Sequence, residues 1–262
     1  MRSIGSWRVT ETDIQACAEI VQKGDVDKFA AVMAAPVELR DVLFPLHALA
    51  IEVSRAPWVT KEPMIAEMRL QWWRDALAEI ADDKAVRRHE VVTPLTKILR
   101  PDTARMLDGM VEVRRWDIYK DPFDDDAHFR DYIIQSSGGV YRAACQTLGE
   151  SEASCDDFSY ASGLANYLRA VPALEEHGRI PLLDGRSEAI QALAKTGLEA
   201  LQKVRSARPS KRVRAVFLSG WQTESILNSV VRDPGLVTRG ALGSSDAVKK
   251  AKLIWMAFTR GV

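Results

Sequence analysis

Residues 63–81 read "PMIAEMRLQWWRDALAEIA", and their spacing sets the fold class. Pro63 stands where the first turn of a helix tolerates proline, its missing N–H being one the helix would leave unpaired. On a helical wheel Ala66, Leu70, Trp73 and Leu77 form one apolar stripe, and Ile65, Met68, Trp72 and Ala76 form a second. Glu67, Gln71 and Arg74 line up between the two at spacings of four and three. Two apolar flanks predict burial on both sides. A polar strip between buried flanks must meet hydrogen-bonding partners or line a cavity, because buried polar groups need partners. Both readings stay open, an internal network with neighbouring helices and a cavity wall.

The same periodicity runs through most of the chain. Helices are expected near 13–22, 25–34, 37–56, 63–81, 93–98, 101–117, 125–148, 156–176, 186–206, 209–231 and 245–259. Thr12 with Gln15 forms a capping box, Asp25 can cap the next segment, and Pro36 and Pro209 sit at first-turn positions. Strand alternation is nearly absent, and there is no repeat, low-complexity tract or clear linker. A single all-α domain over residues 1–262 follows. Composition agrees. With 47% hydrophobic and 27% charged residues the chain resembles an ordinary globular domain, long enough for a sizeable core. Lys plus Arg balances Asp plus Glu at 36 each, so net charge gives no argument for nucleic acid. Three cysteines, with no C-x-x-C pair, fit free thiols in a reducing compartment. No apolar run approaches the roughly 20 residues of a membrane span. The start "MRSIGSWRVTETD" lacks a signal-peptide core. The expected location is cytoplasmic.

Two further helical faces carry polar groups. Ser162, Asn166, Arg169, Ala170, Ala173 and His177 share one, and His47, Ile51, Ser54 and Trp58 share another, with Arg55 beside it. Glu52 and Arg55, three apart, are expected to pair. Taken alone, both read as ordinary half-buried faces.

Three stretches carry a family resemblance: "NYLRAVPALEEHGRI" (166–180), "EMRLQWWRDAL" (67–77) and "FRDYIIQSSGGVYRAACQTLG" (129–149). Together they resemble the squalene/phytoene synthase family over roughly residues 15 to 230. The N-x-L-R and G-R anchors keep the family spacing of twelve residues from Asn166 to Gly178. The resemblance implies an all-α isoprenoid-synthase-like fold with a central cavity. It also implies two aspartate-rich motifs on facing helices, where magnesium holds two prenyl diphosphates for head-to-head coupling. Laid on this sequence, the carboxylates of the second motif fall at Ala170, Ala173 and Leu174, and those of the first at Ser54, Arg55 and Trp58. None is acidic. Magnesium is a hard cation that takes oxygen ligands, mostly carboxylates and phosphate oxygens. Alanine, leucine and tryptophan offer none, and arginine repels the ion.

A branch of the family that includes a mitochondrial complex I assembly factor and related bacterial proteins shares this loss, and "EMRLQWWRDAL" is very similar to its signature. The branch implies assembly or scaffolding, with respiratory-complex subunits as partners. Three readings stand side by side. The first is a non-catalytic protein acting through binding. The second is an active prenyltransferase, which alone would need magnesium. The third is a binder of isoprenoid or other lipid in the cavity. Candidate ligand-facing residues are Ser54, Arg55, Glu67, Gln71, Arg74, Asn166, Arg169 and Arg179, with no catalytic residue and no metal ligand. Arg169 and Arg179 can take an anion directly, or Arg169 can simply pair with Glu67 or another carboxylate.

Other signals are weaker. The spacing in "DPFDDDAHF" is not an EF-hand loop, and one of its aspartates is expected to cap the helix carrying Tyr132. His47, His89, His128 and His177 lack metalloprotease spacing. Gly138 and Gly139 permit close helix packing or a kink. "KKAKLIWMAFTRG" is basic and amphipathic, a last core helix or at most a peripheral membrane contact.

Overall fold

A computed structural model describes residues 11–150, 154–243 and 245–259. Thirteen α-helices follow in order among them: α1 Glu11–Gly24, α2 Val26–Ala34, α3 Arg40–Arg55, α4 Pro63–Ala81, α5 Val92–Ile98, α6 Pro101–Glu112, α7 Asp126–Thr147, α8 Cys155–Glu176, α9 Ser187–Ala207, α10 Lys211–Phe217, α11 Thr223–Arg232, α12 Gly235–Thr238 and α13 Asp246–Thr259. No strand occurs among the described residues. None of their helices is long and apolar enough to cross a membrane.

Local signals account for several helix starts. Asp25 accepts from the Lys28 N–H at 2.9 Å and starts α2. Asp125 accepts from His128 N–H at 2.8 Å and starts α7, so the acidic run is a helix cap. Four expectations need correction. The helix expected over 37–56 begins as a 3₁₀ turn, Val37–Leu39, before α3. The helix expected over 209–231 divides at a 3₁₀ turn, Leu218–Gly220, into α10 and α11. Pro209 stands before the helix and not in its first turn: Ser210 caps α10, its hydroxyl accepting from Val213 N–H at 3.2 Å. Thr12 already lies inside α1, so it is not that helix's cap. The N-terminal stretch 1–10 lies outside the described residues.

The longest helices, α7 and α8, pack side by side through glycine. A Cβ at Gly138 would sit 2.6 Å from the Ser159 Cβ, and one at Gly163 would sit 2.8 Å from the Ile133 carbonyl oxygen. Gly138 on α7 and Gly163 on α8 provide this close approach, while the neighbouring Gly139 faces Met110 of α6. Phe158 and Phe217 stack at 4.0 Å where α8 meets α10. Helix α7 also packs against α3 and α6, which makes it the floor between α3 and α8. The three thiols are buried and free, and burial pushes Cys17 up to about 12.

On α4, Ala66, Leu70, Trp73 and Leu77 are buried as expected. The second stripe is not. Ile65 is 44% and Met68 is 66% exposed, and only Ala76 of that stripe is buried. The helix is therefore buried on one flank, and its polar strip runs along the edge of the contact with α6.

A two-lobed cavity between facing helices

Helices α3 and α8 face each other across a cavity floored by α7. One lobe, of about 840 Å³, lies towards α2 and α13. The other, of about 470 Å³, lies towards the end of α8. Ser54, Arg55, Arg114, Ser136, Asn166 and Ala170 line both, so the two lobes join.

The lobes differ in chemistry. The larger one is polar and cationic: Lys28, Arg55, Arg114, Arg169 and Lys249 outnumber Asp25 and Asp27. Both carboxylates are engaged. Asp25 caps α2 and lies 3.9 Å from Lys28 Nζ. Asp27 accepts from Lys249 Nζ at 2.9 Å and from Gln222 Nε2 at 2.7 Å. Burial works against the Asp27 charge, but these bonds and the nearby Lys249 and Arg169 charges hold its pKa below the usual carboxylate value. His47 is 2% exposed and lines this lobe, and its Nε2 is buried without a hydrogen-bond partner. Burial, with Lys28 adding, pushes its pKa well below the ordinary histidine value, so the ring is neutral at pH 7.

The smaller lobe is apolar where the family resemblance places metal ligands. Trp58, Ala170, Ala173 and Leu174 line it together with Ser54 and Arg55. All six motif positions thus converge on one cavity. His177 stands at the same wall, its ring edge-on to Trp58 at 5.2 Å. Its Nδ1 donates to the Ala173 carbonyl at 2.7 Å, which fixes the tautomer. Asp117 is the one acidic side chain lining this lobe among the described residues, and it is committed. Tyr132 OH donates to it at 2.8 Å and Arg114 Nη1 at 3.0 Å. The residues present therefore do not fit a magnesium cluster. No group of three or more His, Cys, Asp or Glu among the described residues is arranged to hold a metal ion.

The other expected site residues divide. Asn166, Arg169, Ser54 and Arg55 line the cavity, and Arg55 also pairs with Glu52 at 3.4 Å. Arg169 does not pair with Glu67. It forms no ion pair within 4.0 Å among the described residues. Arg179 is buried and does not line either lobe. Its guanidinium donates to the carbonyls of Trp116 and Tyr119 and stacks over the Trp116 ring at 4.0 Å. The "GR" pair explains its course. Gly178 takes φ +75°, its N–H bonding Glu175 O at 2.8 Å, while Arg179 N–H bonds Leu174 O at 3.0 Å. This Schellman ending of α8 turns Arg179 into the interior. Glu67, Gln71 and Arg74 face α6 and the 3₁₀ turn Val113–Asp117 that follows it, instead of α8. Arg74 grips Asp108 through two bonds, 2.7 and 2.9 Å, and also Glu112. Arg115 holds Glu67 at 2.9 Å and Gln71 at 3.3 Å.

Sequence reading missed Lys28, Arg114, Ser136 and Lys249 as cavity residues. "SSGG" carried a signal for Ser136, one helical face away from the packing glycines. For Lys249, some 220 residues from Asp27, no local signal exists.

The profile of the family described as squalene/phytoene synthase matches residues 21–219. A Drosophila melanogaster protein named as a homolog of NADH dehydrogenase (ubiquinone) complex I, assembly factor 6, is 24% identical over 91% of this chain and 81% of its own length. The human assembly factor 6 is 23% identical over 60% of this chain, which spans 48% of that relative. Among solved structures, a dehydrosqualene synthase in complex with ligand superposes with a TM-score of 0.71 at 13% identity, covering 95% of this chain and 96% of that one. Squalene synthase HpnC from Alicyclobacillus acidocaldarius gives 0.70 at 18% identity, with 93% and 100% covered. The shared fold, the six motif positions gathered on one cavity and the profile match agree: the chain belongs to the squalene/phytoene synthase family, on the branch whose curated relatives are named complex I assembly factor 6.

Proposed function

We propose that this chain is a non-catalytic family member that works by binding and serves the assembly of a respiratory NADH dehydrogenase. The observation that carries the first half is the composition of the cavity walls. Ala170, Ala173, Leu174, Ser54, Arg55 and Trp58 supply no carboxylate to the cavity they share. The departing diphosphate of a prenyl substrate needs concentrated positive charge, which the family resemblance assigns to magnesium. The names of the curated relatives support the second half.

The two lobes favour a ligand for the binding role, an anionic amphiphile such as an isoprenoid or another lipid. Its head meets Arg169, Arg55 and Lys28 in the polar lobe, and its chain lies over Trp58, Ala173 and Leu174. Guanidinium groups take phosphate or carboxylate oxygens directly, in paired bonds, without a metal.

Two measurements test the proposal. Purified protein incubated with farnesyl or geranylgeranyl diphosphate, magnesium and a reductant should yield no coupled hydrocarbon above a heat-killed control. A coupled product lost on Arg169→Ala would overturn the non-catalytic reading. Deleting the gene in its source organism should lower the amount of assembled NADH dehydrogenase in the membranes. An unchanged amount would overturn the assembly reading.

A further inference from the structure

Helix α13 presents an uncovered apolar face. Val248 is 55%, Ile254 62%, Trp255 69% and Phe258 88% exposed. At 100° per residue these four and exposed Ala251 fall on one continuous arc of the helix. The opposite side is spoken for: Leu253 is buried, Met256 and Ala257 pack on the core, and Lys249 reaches Asp27 at 2.9 Å. So α13 is docked by its inner side while its largest aromatic side chains point to solvent. Single exposed apolar residues are common, but a contiguous stripe of this size marks a contact surface.

The borders of the stripe identify the contact. Lys250, exposed, lies four residues before Ile254 and edges the arc on one side. Lys252, half-buried, lies four after Val248 and three before Trp255 and edges it on the other. The arc itself holds no acidic residue. An apolar arc bordered on both sides by lysine, with tryptophan within it, suits the boundary between acyl chains and anionic headgroups. A helix of 14 residues spans only about 21 Å, so it lies in that plane and does not cross it. We infer that α13 docks this protein on an anionic lipid surface through Ile254, Trp255 and Phe258, with exposed Lys250 facing the headgroups. The inference is independent of the proposed role in assembly and of any ligand in the cavity. It has a geometric consequence for both: Lys249, on the inner side of the same helix, lines the polar lobe. Docking therefore sets that lobe behind α13, one helix diameter from the lipid.

Flotation of the full chain with vesicles tests this. With phosphatidylcholine vesicles containing phosphatidylglycerol the protein should float, and added salt should reduce the floating fraction. Trp255→Glu with Phe258→Glu should reduce binding by about tenfold or more, since two insertions are lost. Lys250→Glu should weaken binding to anionic vesicles several-fold, each lysine contributing roughly 1 kcal/mol there, and leave binding to pure phosphatidylcholine unchanged. Both changes lie on exposed side chains, so circular dichroism spectra should match the parent. The inference fails if the parent chain does not float with anionic vesicles, or if the double variant floats as well as the parent. It also fails if sedimentation shows a dimer that the double variant dissociates, which would make the face a self-contact.

Discussion

The polar strip of α4 and the facing walls of α3 and α8 look alike on a helical wheel. Each sets charged residues at helical spacing among apolar neighbours. Their surroundings differ. Opposite Arg74 stand Asp108 and Glu112, and opposite Glu67 stands Arg115, so the strip is neutralised and closes the seam between α4 and α6. Opposite Arg169 there is open volume, and the cations around it outnumber carboxylates that are already engaged. A satisfied charge contributes to stability, whereas an unneutralised group at a cavity wall is available to a ligand. Side chains of the first region should affect melting, and those of the second should affect binding.

The largest expected effect lies beneath the strip. Trp73 is buried and packs edge-on against Trp72 at 4.9 Å and His89 at 5.3 Å. Trp73→Ala should destabilise by roughly 3–5 kcal/mol in urea melts. A loss below about 1 kcal/mol would show that the α4 seam is not core. Arg74→Ala should cost on the order of 1–2 kcal/mol, between an exposed ion pair and a buried one. An effect near zero would mean that the strip is no more structural than the cavity wall.

His47 sharpens the comparison through pH. Its pKa in the folded chain lies well below the ordinary 6.5, so above pH 6.5 folded and unfolded states both carry a neutral ring. Below it the unfolded ring takes a proton that the folded one refuses, and stability falls as pH drops towards the folded value. Between pH 7 and 5.5 this single group should remove at most about 1 kcal/mol, the amount set by the ordinary histidine pKa of the unfolded chain. Urea melts at the two pH values should show that part of the acid loss vanishing in His47→Gln. An identical loss in the variant would mean that His47 does not face a site that excludes its charge.

The smallest stability effect is expected at Arg169, which is exposed on the cavity wall. Arg169→Ala should change the melting midpoint by no more than about 0.5 kcal/mol. It should also weaken binding of an anionic amphiphile, measured by titration with a fluorescent fatty acid, by about tenfold, the loss of one charge-assisted contact. Full binding by this variant would place the head of the ligand elsewhere.

Much of this was legible in the sequence, because it rests on contacts between residues three and four apart. Periodicity set the helices, and Asp25 and one aspartate of the run ending at Asp126 marked two of their starts. The absence of carboxylates at Ala170, Ala173 and Leu174 could be read directly, since it concerns residue types and not geometry. Where a helix turns its second stripe could not. Met68 and Leu70 are equally apolar, yet one is exposed and the other buried, because a neighbour exists on only one side. The same holds for partners. The sequence offered Glu67, Gln71, Arg74, Arg169 and Arg179 together as candidate ligand-facing residues, while the fold sent Arg74 to α6, Glu67 and Gln71 to Arg115 just beyond it, Arg179 to the carbonyls of Trp116 and Tyr119, and left Arg169 at a cavity. Local sequence fixes which side of a helix is polar through its 3.6-residue repeat. Only the packing of helices far apart in the chain determines whether a charge meets its opposite, a cavity or a membrane.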